Sequence, residues 1–377
     1  MAGIYIHIPF CKQACYYCDF HFSTNQKNRG DIVQALAAEV RLQREYLGEE
    51  EIETVYFGGG TPSLLSASEL NDILQTLYKT FSVRKGVEIT LEANPDDLTK
   101  ESLKDIWNAG INRLSIGIQS FEDEILRYLN RAHDAAMSVM SVQDAYDAGF
   151  TNISLDLIYA IPGQDNVLWQ KNIERVLALR PQHISAYSLT IEEKTAFGRW
   201  AAQGNLKPVA DDLSATQLQM LVERLERKNY AQYEVSNFSL PGLESKHNSN
   251  YWKGKKYLGI GPSAHSYNGV SRQFNVSNNQ RYLDALANEQ IPATLEILTR
   301  EDRINEYLLT TLRTSWGTSL AKLRKELSLD LLAEHGPYLR SLQENGLATL
   351  ENDFLILTKN GKLLADKIAS DLFVIVQ

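Results

Sequence analysis

The sequence is poor in cysteine, histidine and long apolar runs, and each shortage excludes something. It has three cysteines and seven histidines in 377 residues. An odd number of cysteines, all inside one eight-residue stretch, rules out a self-contained disulfide framework. No stretch approaches the roughly 18 uncharged apolar residues of a membrane-spanning helix, so no integral membrane segment is expected. Positive charge is scarce too: 38 Lys and Arg stand against 47 Asp and Glu, for a net charge of −9 and a pI near 5.4. That balance argues against nucleic acid or an anionic membrane surface as the main partner. No low-complexity tract or short repeat is present. Met1-Ala-Gly-Ile4 carries no basic region before an apolar core, so no secretory signal is expected. Free thiols then suit a reducing, cytoplasmic setting. The remaining composition, 44% hydrophobic and 23% charged, is that of a globular chain, and its length suggests two domains.

What is there is concentrated in Cys11-Lys-Gln-Ala-Cys15-Tyr-Tyr-Cys18, a C-x3-C-x2-C spacing. Three thiolates on one short loop can converge on a metal centre. A closed structural zinc site wants four ligands, and His7 or His21 can supply the fourth. An iron–sulfur cube also wants four ligands, usually all cysteine. With three, one iron stays open for a substrate.

The loop follows a strand at residues 3–9, in which Ile4, Ile6 and Ile8 alternate with Tyr5 and His7 until Pro9. An amphipathic helix is expected over 31–47. The unit then repeats. Strands at 52–57, 87–91, 113–118, 152–157 and 183–189 are each followed by a helical pattern, at 66–80, 99–108, up to 147, up to 179, and 211–228. Six β–α units in about 200 residues imply a parallel sheet. Polar or glycine residues stand where its strands end: the cysteine loop, Gly58–Thr61, Glu92, Gln119, Asp156 and Thr190. The C-terminal strand ends are where βα barrels place their chemistry. Gly59, Gly60 and Thr61 offer backbone groups without side-chain obstruction.

The cysteine spacing after a first strand, with Tyr17 before the last cysteine, resembles the radical S-adenosylmethionine (SAM) superfamily. The resemblance implies a partial (β/α)6 TIM-like barrel, open on one side. It also implies a [4Fe–4S] cluster on Cys11, Cys15 and Cys18, with SAM chelated to the remaining iron and cleaved to a radical. Tyr5-Ile-His-Ile-Pro-Phe-Cys11, Phe57-Gly-Gly-Gly-Thr-Pro62, Leu91-Glu-Ala-Asn-Pro95, Gly117-Ile-Gln-Ser-Phe121 and Asp156-Leu-Ile-Tyr-Ala-Ile-Pro-Gly163 are similar to the coproporphyrinogen III dehydrogenase (HemN-like) group. By that likeness Tyr5, Gly59, Gly60, Thr61, Glu92, Gln119, Arg131 and Asp156 contact SAM. Tyr17 offers a ring or hydroxyl beside the cluster, and Arg131 a bidentate fork for the SAM carboxylate.

Two departures separate the chain from the dehydrogenases of that group. They carry a further cysteine two residues after the third, where this chain has Phe20. They also carry an extension before the first strand. Both departures resemble the sister family, the HemW haem chaperones. So does His247-Asn-Ser-Asn-Tyr-Trp252, an H-N-x-x-Y-W pattern associated with haem in that family. An imidazole can ligate haem iron, and Tyr251 and Trp252 offer flat faces to a porphyrin, so His247 is the candidate haem ligand. His265 ranks below it, because Gly259–Ser263 reads first as a tight turn.

Three regions are expected: the partial barrel over 1–230, a connecting segment over 231–290, and a small helical, winged-helix-like domain over 291–377. Winged helices often bind DNA, but residues 291–377 hold 10 Lys and Arg against 12 Asp and Glu. A nucleic-acid reader should be basic on its recognition face. The reading is therefore a haem chaperone that binds a [4Fe–4S] cluster, SAM and haem and passes haem to an acceptor protein. Enzymatic turnover is left open. A homodimer is compatible with the composition. The alternatives are an oxygen-independent coproporphyrinogen III dehydrogenase and, from another class, a winged-helix iron–sulfur regulator.

Overall fold

The structure is a computed structural model and describes residues 1–375. Six strand–helix units open the chain: β1 (Ala2–Ile8), α1 (Arg29–Leu42), β2 (Ile52–Gly59), α2 (Ala67–Thr80), β3 (Val83–Ala93), α3 (Lys100–Asn108), β4 (Arg113–Gln119), α4 (Asp123–Tyr128), α5 (Ala135–Asp147), β5 (Ile153–Tyr159), α6 (Asn166–Ala178) and β6 (His183–Ser188). Polar side chains cap these helix starts. Ser66 and Glu69 form a capping box on α2, Thr99 and Ser102 on α3, and Asp134 and Asp165 cap α5 and α6. The helix expected over 31–47 ends at Leu42 and runs on as turns through Gly48, whose φ is +63°.

The chain continues through α7 (Ala196–Ala202), α8 (Asp211–Glu226), β7 (Ala231–Glu234), β8 (Asn237–Ser239), α9 (Lys246–Trp252), β9 (Tyr257–Ile260), β10 (His265–Tyr267), β11 (Ser271–Asn275), α10 (Asn279–Ala287) and β12 (Ala293–Ile297). Its strands join the first six in one sheet, ordered β12-β11-β10-β9-β1-β2-β3-β4-β5-β6-β8-β7. The parallel part holds seven strands rather than six, because β9 pairs parallel with β1. Part of the turn expected at Gly259–Ser263 is therefore strand. The two glycines there permit close approach: a Cβ on Gly259 would meet the His265 carbonyl oxygen at 2.1 Å, and one on Gly261 the His7 carbonyl oxygen at 2.5 Å. Four residues with a glycine inside show no readable alternation.

Ile4, Ile6 and Ile8 pack into the core between sheet and helices, as do Leu114, Ile116, Leu155 and Leu157. The alternate residues point into the barrel. Glu39 of α1, fully buried, holds the added strands to the first unit. It accepts from the Gly261 N–H (2.8 Å), Asn275 Nδ2 (2.7 Å) and Tyr282 OH (2.5 Å).

A second core is built from α11 (Arg300–Leu312), β13 (Thr318–Ser319), α12 (Leu320–Leu327), α13 (Leu331–Glu344), β14 (Ala348–Glu351), β15 (Phe354–Leu357), α14 (Lys359–Lys362) and α15 (Ala365–Asp371). This is winged-helix order, and α13 kinks at His335 just before Pro337. The unit docks on the β7 edge and on α9. Arg313 Nε pairs with buried Glu234 at 3.0 Å, and Lys253 lies over the Trp316 ring at 5.0 Å. Lys362 Nζ donates to the Gln232 carbonyl at 3.2 Å, and burial pulls its pKa down to about 8. The unfolded chain therefore binds more protons than the native one between about pH 8 and 10.5, so this residue's contribution to stability rises with pH across that window. Lys362→Met should raise stability at pH 7 by about 1–2 kcal/mol after the lost hydrogen bond. It should also flatten that rise, as urea titrations at pH 7 and pH 10 would report; an unchanged pH dependence would refute the account.

Candidate metal and cofactor site

The cysteine loop leaves β1 and is fastened at three places. Lys12 pairs with Asp96 at 3.0 Å and with Asp97. Gln13 Nε2 donates to the carbonyl and Oδ1 of Asn130 at 3.0 and 2.8 Å, and Asn130 Nδ2 donates to the Ala14 carbonyl at 2.7 Å. Above it α7 forms a roof: the Phe197 N–H donates to the Tyr16 carbonyl (3.0 Å), and the Trp200 ring meets Tyr16 edge-on at 5.0 Å.

Two of the three thiols meet hydrogen-bond donors. The Thr61 hydroxyl donates to Cys11 Sγ and Arg131 Nη1 to Cys15 Sγ, both at 3.4 Å. Burial raises the Cys11 thiol to about 11 and the Cys18 thiol to about 12, and the neighbouring cysteines push both further up. Without a cation the site thus disfavours its own thiolates, and a cationic centre reverses that sign. Among the described residues no three Cys, His, Asp or Glu side chains already converge on a point, as a mononuclear ion requires. In an iron–sulfur cube each cysteine holds a different iron, so the sulfurs need not meet.

Arg131 lies in the turn between α4 and α5 and reaches under the loop. Its Nη2 donates to Asn94 Oδ1 (2.6 Å) and the Gly117 carbonyl (2.9 Å), and its Nη1 lies 3.5 Å from Tyr17 OH. Its buried Nε has no partner among the described residues. Burial raises the Tyr17 pKa against the pull of Arg131. Asn94 also donates to Thr61 Oγ1 at 3.2 Å, so it bridges the arginine to the glycine turn. The sequence reading did not single out Asn94, although it stands inside the Glu-Ala-Asn-Pro stretch.

The glycine turn is sterically obliged. Gly59 has φ +104°, and a Cβ there would fall 2.5 Å from the His7 ring; one on Gly60 would fall 2.6 Å from the Phe10 carbonyl oxygen. Glu92 accepts from Tyr56 OH (2.8 Å) and the Gly59 N–H (3.2 Å). Burial, opposed by those bonds and aided by the Asp156 charge, pushes Glu92 up to about 7. Tyr5 OH donates to His7 Nδ1 at 3.2 Å, because His7 Nε2 is committed as donor to the His21 carbonyl at 2.8 Å.

The other candidates spread in depth. Gln119 ends β4 with φ +65°, a left-handed conformation. Asp156 stands in mid-strand, accepting from Ser115 (3.0 Å) and Ser154 (3.2 Å), and burial raises its pKa. Thr190 falls past the end of β6 and is exposed. His247 is not at this rim. It enters the opposite end of the barrel from α9, 2% exposed, stacked on Tyr56 at 5.0 Å. Nδ1 is bonded to Thr54 Oγ1 (2.8 Å) and Nε2 to Tyr251 OH (3.0 Å). Burial pulls its pKa down to about 3. Both nitrogens that ligation needs are engaged.

Residues 5–174 match the profile of the Radical SAM superfamily and residues 298–364 that of the HemN C-terminal domain. The chain is 35% identical to "Heme chaperone HemW" of Bacillus subtilis, over 98% of each chain. It is also 35% identical to "Heme chaperone HemW" of Mycobacterium tuberculosis, over 98% of this chain and 94% of that one. Among solved structures, the coproporphyrinogen III oxidase (HemN) of Escherichia coli, described as a Radical SAM enzyme, superposes with a TM-score of 0.85 at 23% identity, over 99% of this chain and 90% of that one. At that identity the superposition speaks for the fold alone. The two relatives match this chain end to end, and the chain accordingly belongs to the HemW haem-chaperone family within the radical SAM superfamily.

Proposed function

We propose that the chain binds a [4Fe–4S] cluster, SAM and haem, and delivers the haem to an acceptor protein. The end-to-end match to haem chaperones carries this reading. Phe20 supports it, standing where the dehydrogenases of the sister group have a further cysteine.

Cys11, Cys15 and Cys18 would hold the cluster, which supplies single electrons and an open iron for the SAM amino and carboxylate groups. Arg131, anchored by Asn94 and Gly117, presents guanidinium donors beside Cys15, where a carboxylate can be clamped. Gly59, Gly60 and Thr61 give backbone approach, Glu92 accepts from an ammonium or ribose hydroxyl, and Gln119 does either. Asp156 and Tyr5 act lower, shaping the pocket floor. The charge of residues 291–377 gives no support to a DNA regulator.

The test is anaerobic. Reconstituted protein receives SAM, a reductant and coproporphyrinogen III, and a second sample receives haemin. Stoichiometric haem binding, haem transfer to an apo-haemoprotein and no protoporphyrinogen are expected. Multiple turnovers to protoporphyrinogen would overturn the reading in favour of the dehydrogenase.

A further inference from the structure

A chain that carries haem needs an accessible ligand, and histidine is the commonest nitrogen donor. Most of the seven histidines are already engaged. His183 is bonded at both nitrogens, to Ser154 and Tyr233, each at 2.8 Å. His247 is likewise bonded at both, and so is His7. His133 Nε2 donates to the Ile118 carbonyl at 3.1 Å, with its other nitrogen buried, and His21 Nε2 donates to Asn279 Oδ1 at 2.8 Å. Among the described residues His265 and His335 have no hydrogen-bond partner. His335 sits at the kink of α13, in the C-terminal unit.

His265 sits elsewhere. The register pairs Tyr5 with Gly259, Tyr267 with Tyr257, and His265 with Phe274. Its side chain therefore continues the sheet face that lines the barrel, beyond β1 on the open side. It is exposed there, and the Phe274 ring, 38% exposed, lies 5.7 Å away at 30°. Arg272 follows on the same face, paired with Glu306, and is the nearest cation in register for a propionate. β10 lies next to β9, which lies next to β1, and His7 of β1 touches the cysteine loop through the His21 carbonyl.

We propose that haem docks against this wall of β10 and β11, with His265 as axial ligand and Phe274 against the porphyrin, and that His247 plugs the barrel floor instead of ligating iron. The proposal rests on the reading that this chain carries haem. An exposed imidazole beside an exposed aromatic suits a cargo that must leave again.

The test uses the full chain with its cluster reconstituted, titrated with haemin. The readouts are the Soret band, and electron paramagnetic resonance or resonance Raman spectra of the iron. His265→Ala is expected to weaken haem binding at least about tenfold and to remove the imidazole-ligation signature. Phe274→Ala should weaken binding several-fold with that signature kept. His247→Ala should lower the melting temperature and leave the signature intact; His335→Ala should change nothing. Unchanged cluster content in each variant guards against unfolding. A His265→Ala protein with wild-type affinity and spectrum overturns the site, as does loss of the signature in His247→Ala alone. Absence of haem binding in the cluster-loaded wild type overturns the carrier reading itself, and the site with it.

Discussion

Cys15→Ala protein, reconstituted anaerobically with iron and sulfide, is expected to retain essentially none of either and to lose its visible charge-transfer absorbance. The same holds for Cys11→Ala and Cys18→Ala. The chain has no fourth cysteine to recruit. His7 has both nitrogens engaged, and His21 is held at Nε2 by Asn279 Oδ1. Two thiolates are too few for a cube. Arg131→Met separates the cluster from its ligand. Arg131 touches Cys15 Sγ at 3.4 Å but is anchored elsewhere, on Asn94 and the Gly117 carbonyl. That variant should keep its iron and bind SAM roughly ten- to a hundredfold more weakly, the loss of one charged partner. Iron and sulfide analysis with equilibrium dialysis of SAM measures both arms. A full cluster in any single Cys→Ala variant would sink the ligand assignment, and unchanged SAM binding in Arg131→Met would sink the clamp.

Much of this was legible because the signals were local. The six β–α units announced themselves by alternation, helical spacing and glycine turns. The turn at Asn352-Asp353 between β14 and β15 is equally local: φ values of +49° and +68° are those of a two-residue turn that Asn and Asp tolerate. The metal-type candidates stand out because three rare residues fall within eight positions. What failed to show in the sequence depends on distant pairing. β9 is four residues with an internal glycine, and its place beside β1 is fixed by Glu39 on α1 reaching the Gly261 N–H. Asn94 gains its meaning only from Arg131, far along the chain. His247-Asn-Ser-Asn-Tyr-Trp252 looked like a surface loop offering an imidazole and two aromatics. The fold closes it into a short helix under the barrel, where Thr54 and Tyr56 await the ring. A polar–aromatic pattern fits a ligand site and a packed plug equally well until burial decides between them.

Arg113→Met should destabilise the barrel chiefly at alkaline pH. Arg113 begins β4, 1% exposed, and its Nε and Nη1 have no partner among the described residues. It is there for charge. Burial pushes Glu92 and Asp156 up; the hydrogen bonds from Tyr56 and Gly59 to the first and from Ser115 to the second hold them down, and the Arg113 charge adds to that pull. Removing it leaves the two buried carboxylates to their hydrogen bonds, a loss of about 1–2 kcal/mol at pH 8.5, the equivalent of roughly one unit of pKa. The pH dependence carries the proof. Glu92 has a raised native pKa, about 7, so its burial is harmless below the unfolded value and costs stability as pH rises through 7. Without Arg113 the native pKa climbs higher, and the variant falls away from wild type mainly above pH 7. Near pH 5.5 Glu92 is protonated in both folded proteins, and the apolar methionine also spares the cost of burying a guanidinium, so the deficit should narrow to the share that Asp156 carries. Urea unfolding at pH 5.5 and 8.5 decides it: a deficit equal at both values would mean that Arg113 acts by packing, not by neutralising the barrel's acids.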